Sequence, residues 1–180
     1  EPIQVETFKD NVLQSTQRTN YKSYGSFCFP EIVQTSIGSQ DLEDRVIYHN
    51  YDAKGNPTEV SKKDGVYIVY IWGYHQTQPI AKIENATLAQ VNSAIATISD
   101  SRFNTLVKIQ SISDNDTNSV IGESDSGEGL LRKALKALRN VSGLSNAQVT
   151  TFTYDPLIGV TSISDPRGET MYYSLSLIHI

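Results

Sequence analysis

The feature that most constrains this chain is a pattern of turns that occurs twice. A Tyr–Asp pair closes a strand-like stretch, a glycine-bearing turn follows, and a second tyrosine stands nineteen residues after the first: Tyr51 to Tyr70, and Tyr154 to Tyr173. In the first copy Val46-Ile47-Tyr48-His49-Asn50-Tyr51 reads as a strand and Asp52-Ala53-Lys54-Gly55 as a type I turn. The Asp carboxylate accepts from a backbone N–H two residues on, and Gly tolerates positive φ. Thr58-Glu59-Val60-Ser61 is the return strand. Asp64-Gly65 signals a hairpin, and Val66-Tyr67-Ile68-Val69-Tyr70-Ile71-Trp72 is β-branched and aromatic throughout. The second copy repeats the grammar. Val149 to Tyr154 is a strand, Asp155 to Gly159 a turn, and Val160 to Ser164 a strand. Asp165-Pro166-Arg167-Gly168 is a turn with proline at its second position, and Glu169 to Tyr173 opens the next strand. Hairpins repeated in this way bury their faces against their neighbours.

Composition agrees with an architecture that leans on tyrosine. Of 180 residues, 38% are hydrophobic in a count that includes ten tyrosines, below the roughly 45–50% apolar share of ordinary domains. No run approaches the roughly 18 apolar residues of a membrane span. The net charge of −5, without a basic stripe, argues against nucleic acid as a partner. A single cysteine, Cys28, excludes an internal disulfide framework and a multi-cysteine metal site. It lies between Phe27 and Phe29 and reads as a small buried side chain. The chain starts at Glu1 and its one methionine is Met171, so it reads as a piece of a longer reading frame. Residues 175–180, Leu-Ser-Leu-Ile-His-Ile, match the translation of a transposon end used as a sequencing adapter and read as an artefact.

Outside the two copies the periodicity alternates between two and 3.6. Ile3-Gln4-Val5-Glu6-Thr7-Phe8 reads as a half-buried strand. Residues 21–29 are aromatic-rich, Pro30 to Thr35 reads as a strand, and Gly38-Ser39-Gln40-Asp41 as a turn. Pro79-Ile80-Ala81-Lys82-Ile83 reads as a strand whose proline belongs at an edge or a first position. Thr87-Leu88-Ala89-Gln90 fits a capping box, with Leu88, Val91, Ile95 and Ile98 on one helical face. Asp100 or Ser101 caps an expected second helix carrying Phe103, Leu106, Val107 and Ile109. Leu131, Ala134, Leu135 and Leu138 mark a third, on which Arg132, Lys133, Lys136 and Arg139 read as a solvated face. The resulting division is a β-rich region at 1–84, a helical insertion at 85–148, and a second copy of the turn pattern at 149–174.

The segment Tyr51-Asp52-Ala53-Lys54-Gly55-Asn56-Pro57-Thr58-Glu59-Val60 resembles the YD repeat of the rearrangement-hotspot (RHS) family. Tyr154-Asp155 through Asp165-Pro166-Arg167-Gly168 to Tyr173 is similar to a further copy. Tyr70-Ile71-Trp72-Gly73-Tyr74 and the stretch from Gln78 to Asn85 resemble a subgroup of large bacterial surface or secreted RHS proteins. The resemblance spans roughly residues 31–174. Asn56-Pro57 and Val160-Thr161 depart from the Arg-Leu usual after the glycine. The resemblance implies a mainly β fold, consecutive antiparallel hairpins of a YD-repeat sheet array interrupted by an α-helical insertion. Its repeat residues would be Tyr51, Asp52, Gly55, Tyr70, Tyr154, Asp155, Gly159, Asp165, Gly168 and Tyr173. It further implies a secreted or surface location and a shell that encapsulates or presents a C-terminal effector or toxin. The partners would be neighbouring repeats of the full-length chain and that enclosed domain.

Chemistry-bearing residues give little beside this. Asp114-Asn115-Asp116-Thr117-Asn118, with Asp125 at the twelfth position, has part of the spacing of a calcium loop. Ser119 stands where glycine makes the sharp turn, so the stretch reads as a solvated acidic loop. His49 and His75 have no nucleophile or acid at a motif spacing, and no carboxylate pair converges in sequence. No catalytic residue, metal or cofactor is expected. The rival expectation is a carbohydrate-binding module in which exposed Tyr67, Tyr70, Trp72 and Tyr74 stack on sugar rings.

Overall fold

Strand after strand pairs with its neighbour along the chain. The computed structural model describes residues 2–116, 121–155 and 158–173, is mainly β, and divides into two units, residues 1–67 and 68–180. In the first unit β1 (Ile3–Lys9), β2 (Val12–Tyr24), β3 (Phe27–Ile37), β4 (Glu43–Tyr51) and β5 (Pro57–Lys62) form an antiparallel meander in chain order. Asp10 and Asn11, both at positive φ, turn β1 into β2, as two-residue hairpins require. Sequence periodicity left β2 undefined, because its thirteen residues are mostly polar and lack an apolar rhythm.

This unit is a sheet with little on its faces. Among its described residues Val60 is the one buried apolar side chain. The half-buried strand expected at 3–8 is instead exposed along its whole length, with Ile3, Val5 and Phe8 each more than half accessible. Cys28 corrects a second expectation. It is exposed because the pleat sends it to the face opposite Phe27 and Phe29. Those two rings stack on each other and leave the thiol uncovered.

The second unit holds the core. β6 (Tyr67–Gly73) and β7 (Gln78–Glu84) form a hairpin. Three helices follow, α1 (Leu88–Ala96), α2 (Leu106–Asp114) and α3 (Gly127–Asn140), then a 3-10 turn (Ser142–Leu144). β8 (Gln148–Asp155) then pairs with β7 as if nothing intervened, and β9 (Gly159–Ser164) and β10 (Thr170–Tyr172) complete the meander. Val69, Ile71, Ile80, Ile83 and Val149 of the sheet meet Val91, Ile95, Ile109, Leu131, Leu135 and Leu138 of the helices, all but fully buried. The segment between β7 and β8 is thus a helical layer on the sheet.

Each helix obeys a local signal, with corrections. α1 starts at Thr87 with the expected capping box. α2 starts later than expected. Asp100 caps only a turn, accepting from the Arg102 backbone N–H, and Thr105 caps the helix. Val107 consequently points outward, 73% exposed. On α3 the apolar stripe is buried as expected, but the basic residues are not all a solvated face: Arg132 is buried and Arg139 half-buried. Pro79 is second in its strand, two residues before the ladder with β8 begins at Ala81. β7 is flanked by β6 and β8, and a bulge beside Pro79 absorbs the missing donor.

Candidate functional site

The two Tyr–Asp corners share a geometry that spacing alone did not announce. Tyr51 at the end of β4 donates its hydroxyl to the carbonyl of Pro30 on the preceding strand, at 2.6 Å and 21 residues upstream. Tyr154 near the end of β8 donates to the carbonyl of Pro79 on its own preceding strand, at 3.0 Å and 75 residues upstream. Both prolines lie at bulges, where the residue after the proline, Glu31 or Ile80, drops out of register. The helical insertion lengthens the second connection without altering the corner. Burial pushes the phenol of Tyr154 up to about 12. It pushes that of Tyr51 higher still, with the neighbouring tyrosines adding to the shift.

The loops that follow repeat as well. Asp52 accepts from the N–H groups of Lys54 and Asn56, while Gly55 N–H returns to Asp52 O. Asp165 accepts from Arg167 and Glu169, while Gly168 N–H returns to Asp165 O. Lys62 and Gly65, which fall at the positions of Asp165 and Gly168 in the first copy, close their loop with the same backbone bonds. Gly55, Gly65 and Gly168 all have φ between 81° and 89°. At Asp155 the turn has the same span with glycine one place later: Ile158 N–H bonds Asp155 O and Gly159 pairs with Asp155. Pro156 and Leu157 lie outside the described residues. Tyr70 lies on β6 and Tyr173 just past β10, each two strands along the chain from its Tyr–Asp pair.

Aromatic residues surround the first corner. The Tyr51 ring stacks on Phe29 at 4.7 Å and Tyr48 at 5.9 Å, and meets Tyr24 edge-on at 5.1 Å. Gly55 is packed against the same cluster, since a Cβ there would come within 2.6 Å of the Phe29 ring.

The aromatic platform expected for sugars is split. Tyr67 is half-buried and stacks on His49 at 5.2 Å. Tyr70 and Trp72 are half-exposed neighbours on one face of β6, 6.4 Å apart. Tyr74 is not exposed: it is 4% accessible. Its hydroxyl donates to Asp116 at 2.8 Å and accepts from Tyr154 N–H at 2.9 Å. Its own N–H bonds Ser113 Oγ at 3.0 Å. Tyr74, His75 and Gln76 all have positive φ, an uncommon run for non-glycine residues, and the C-terminal end of α2 holds them there.

This clamp accounts for the acidic stretch. Asp114 accepts from the His75 backbone N–H and Asp116 is buried against Tyr74, so these are turn-holding groups rather than members of a solvated loop. Residues 117–120 lie outside the described residues. Asp125 pairs with Lys133 and Arg102. Among the described residues no three His, Cys, Asp or Glu side chains group as a metal site. His49 is brought within 2.9 Å of Ser61 Oγ, a juxtaposition invisible in sequence. Ser61 is buried and its partner ring is stacked on Tyr67, an arrangement that holds the sheet rather than exposes a nucleophile.

The underside of α3 also buries polar groups. Arg132 and Glu128 form an ion pair at 2.7 Å, 8% and 1% exposed. Glu128 also accepts from Thr161, and Arg132 donates to Ser162 Oγ and Gly122 O. Arg139 donates to Thr151 Oγ1, Val149 O and Ser164 O. The threonines and serines of β8 and β9 are what draw these long cations inward. Helical spacing alone left this unread, because the acceptors are some 10 to 30 residues away.

Comparison with protein-family models, with curated proteins and with solved structures finds no match to this chain. No described helix is long and apolar enough to cross a membrane.

Proposed function

We propose that the chain is a non-catalytic structural segment of an RHS/YD-repeat shell, a wall panel that helps to encapsulate or present a C-terminal effector or toxin at a secreted or surface location. One observation carries this reading. Two Tyr–Asp corners, far apart in sequence, use the same tyrosine-to-proline-carbonyl bond beside the same kind of bulge, and matching loops follow. A repeat array needs each unit to end in the same way so that the next can pair with it. The exposed length of β1 supports the reading, since a bare strand edge is a place where another strand adds. The test is to recover the uninterrupted gene, express its product and image it by electron microscopy. A hollow particle walled by further Tyr–Asp hairpins is expected. A gene without further copies, or a particle without an enclosed cavity, would end the proposal.

A second reading rests on Tyr70 and Trp72, which stand side by side on the β6 face opposite the helical core. Such a pair suits the apolar face of a sugar ring. A glycan array probed with the chain and with Trp72→Ala decides it: a defined glycan bound by the first and lost in the folded second favours a binding module.

A further inference from the structure

α3 carries Arg132, Lys136 and Arg139 on one stripe, by the three- and four-residue spacing that aligns side chains on a helix. The stripe faces the β9–β10 hairpin, whose turn contributes Arg167. Between them lies a cleft of about 360 Å³, within the range of small-molecule sites. Two of the four cations are already matched. Arg132 is paired with Glu128 and Lys136 with Glu123, each at 2.7 Å. The other two are not. Among the described residues no carboxylate lies within ion-pair distance of Arg139 or Arg167. Arg139 donates only to neutral oxygens. Burial weakens its hold on the proton, and the charge of Asp165 only partly restores it. Asp165 is turned toward its own loop, where its Oδ1 accepts from the backbone N–H groups of Arg167 and Glu169.

A half-buried guanidinium with neutral partners gains more from an oxyanion than a solvated one does, since much of its water is already gone. The remaining wall narrows the ligand further. The Tyr172 ring, 43% exposed, is held by Arg132 at 5.1 Å from its centre, and Thr170 presents a hydroxyl beside it. A flat ring, hydroxyl groups and two guanidinium groups without a carboxylate at ion-pair distance fit a small polyol bearing one charged oxygen group. We propose that the cleft between α3 and the β9–β10 turn binds a hydroxylated oxyanion, a sugar acid or a sugar phosphate, through Arg139 and Arg167.

The test titrates the whole chain with glucuronate, glucose 6-phosphate, glucose and inorganic phosphate, by calorimetry and by backbone amide shifts. Saturable binding of glucuronate or of glucose 6-phosphate is expected, with shifts at Gly168 and Thr170. Which of the two saturates identifies the source of the charge. Arg167→Gln, an exposed turn position, should weaken binding by about tenfold, as loss of one charged hydrogen bond does, without moving the thermal midpoint. Arg139→Lys should weaken it as well. The proposal is overturned if neither sugar anion binds, if Arg167→Gln binds as the parent does, or if glucose or inorganic phosphate alone binds as tightly. Phosphate alone binding as tightly would mean an adventitious ion only.

Discussion

Tyr51 and Tyr154 each donate one hydroxyl to a proline carbonyl beside a bulge. Replacing either by Phe keeps the ring and removes the bond. A loss of about 1 kcal/mol in each case is expected, measured by urea unfolding. Gly55 and Gly65 separate two glycine effects. Both have positive φ, but only Gly55 abuts a ring, while Gly65 faces open space. Gly65→Ala should cost about 1 kcal/mol for backbone strain alone. Gly55→Ala should cost about 2–3 kcal/mol, because Phe29 must also move. The phenols supply a pH dependence. Tyr154 is raised to about 12 by burial, against about 10 in an unfolded chain. A raised pKa favours the neutral, folded form. The contribution is therefore whole below about pH 10 and lost as pH rises through about 12. Phenol absorbance and circular dichroism followed together in alkali should show this share ionising only as the fold is lost, and Tyr154→Phe should remove it.

At the scale of elements, α2 and α3 do different work on the same sheet. α2 acts as a clamp: Ser113 and Asp116 hold a turn whose three consecutive positive-φ residues would otherwise relax. Ser113→Ala should cost about 1–2 kcal/mol and speed hydrogen exchange at the Tyr74 amide. α3 is fastened by its buried ion pair. Arg132→Met removes the cation of this buried pair, at a cost of about 3–5 kcal/mol. Adding Glu128→Gln replaces the carboxylate partner by a neutral amide and should recover part of the loss. The two effects would be read from a double-mutant cycle in urea.

The whole molecule is uneven in how it is held. Among the described residues nearly all buried apolar side chains belong to residues 68–180, whereas residues 1–67 are knitted by backbone pairing, amide and carboxylate ladders, and stacked rings. Asn20 to Gln34 to Asp44 is one such ladder across three strands. Exposed Ile3, Val5 and Phe8 on β1 make that strand adhesive. Sedimentation velocity should show concentration-dependent association of the chain, and Val5→Lys with Phe8→Lys should reduce it. A parent chain that stays monomeric would count against β1 as a joining edge.

Local signals were enough for the turns and for two helices. Asp–Gly, Asp-Pro-x-Gly and the Thr87–Gln90 box act over a few residues, so hairpin positions, α1 and the apolar stripe of α3 could be read directly. Burial could not, because it is made by two surfaces meeting and one of them is remote in sequence. Cys28 lies outside because nothing covers its face, and Tyr74 lies inside because α2 reaches back to it. Arg132 and Arg139 turn inward because β8 and β9 supply oxygens there. The corner itself shows both halves: Tyr–Asp and the glycine after it mark the bend, but only strand pairing across an inserted helical layer brought Tyr154 to Pro79.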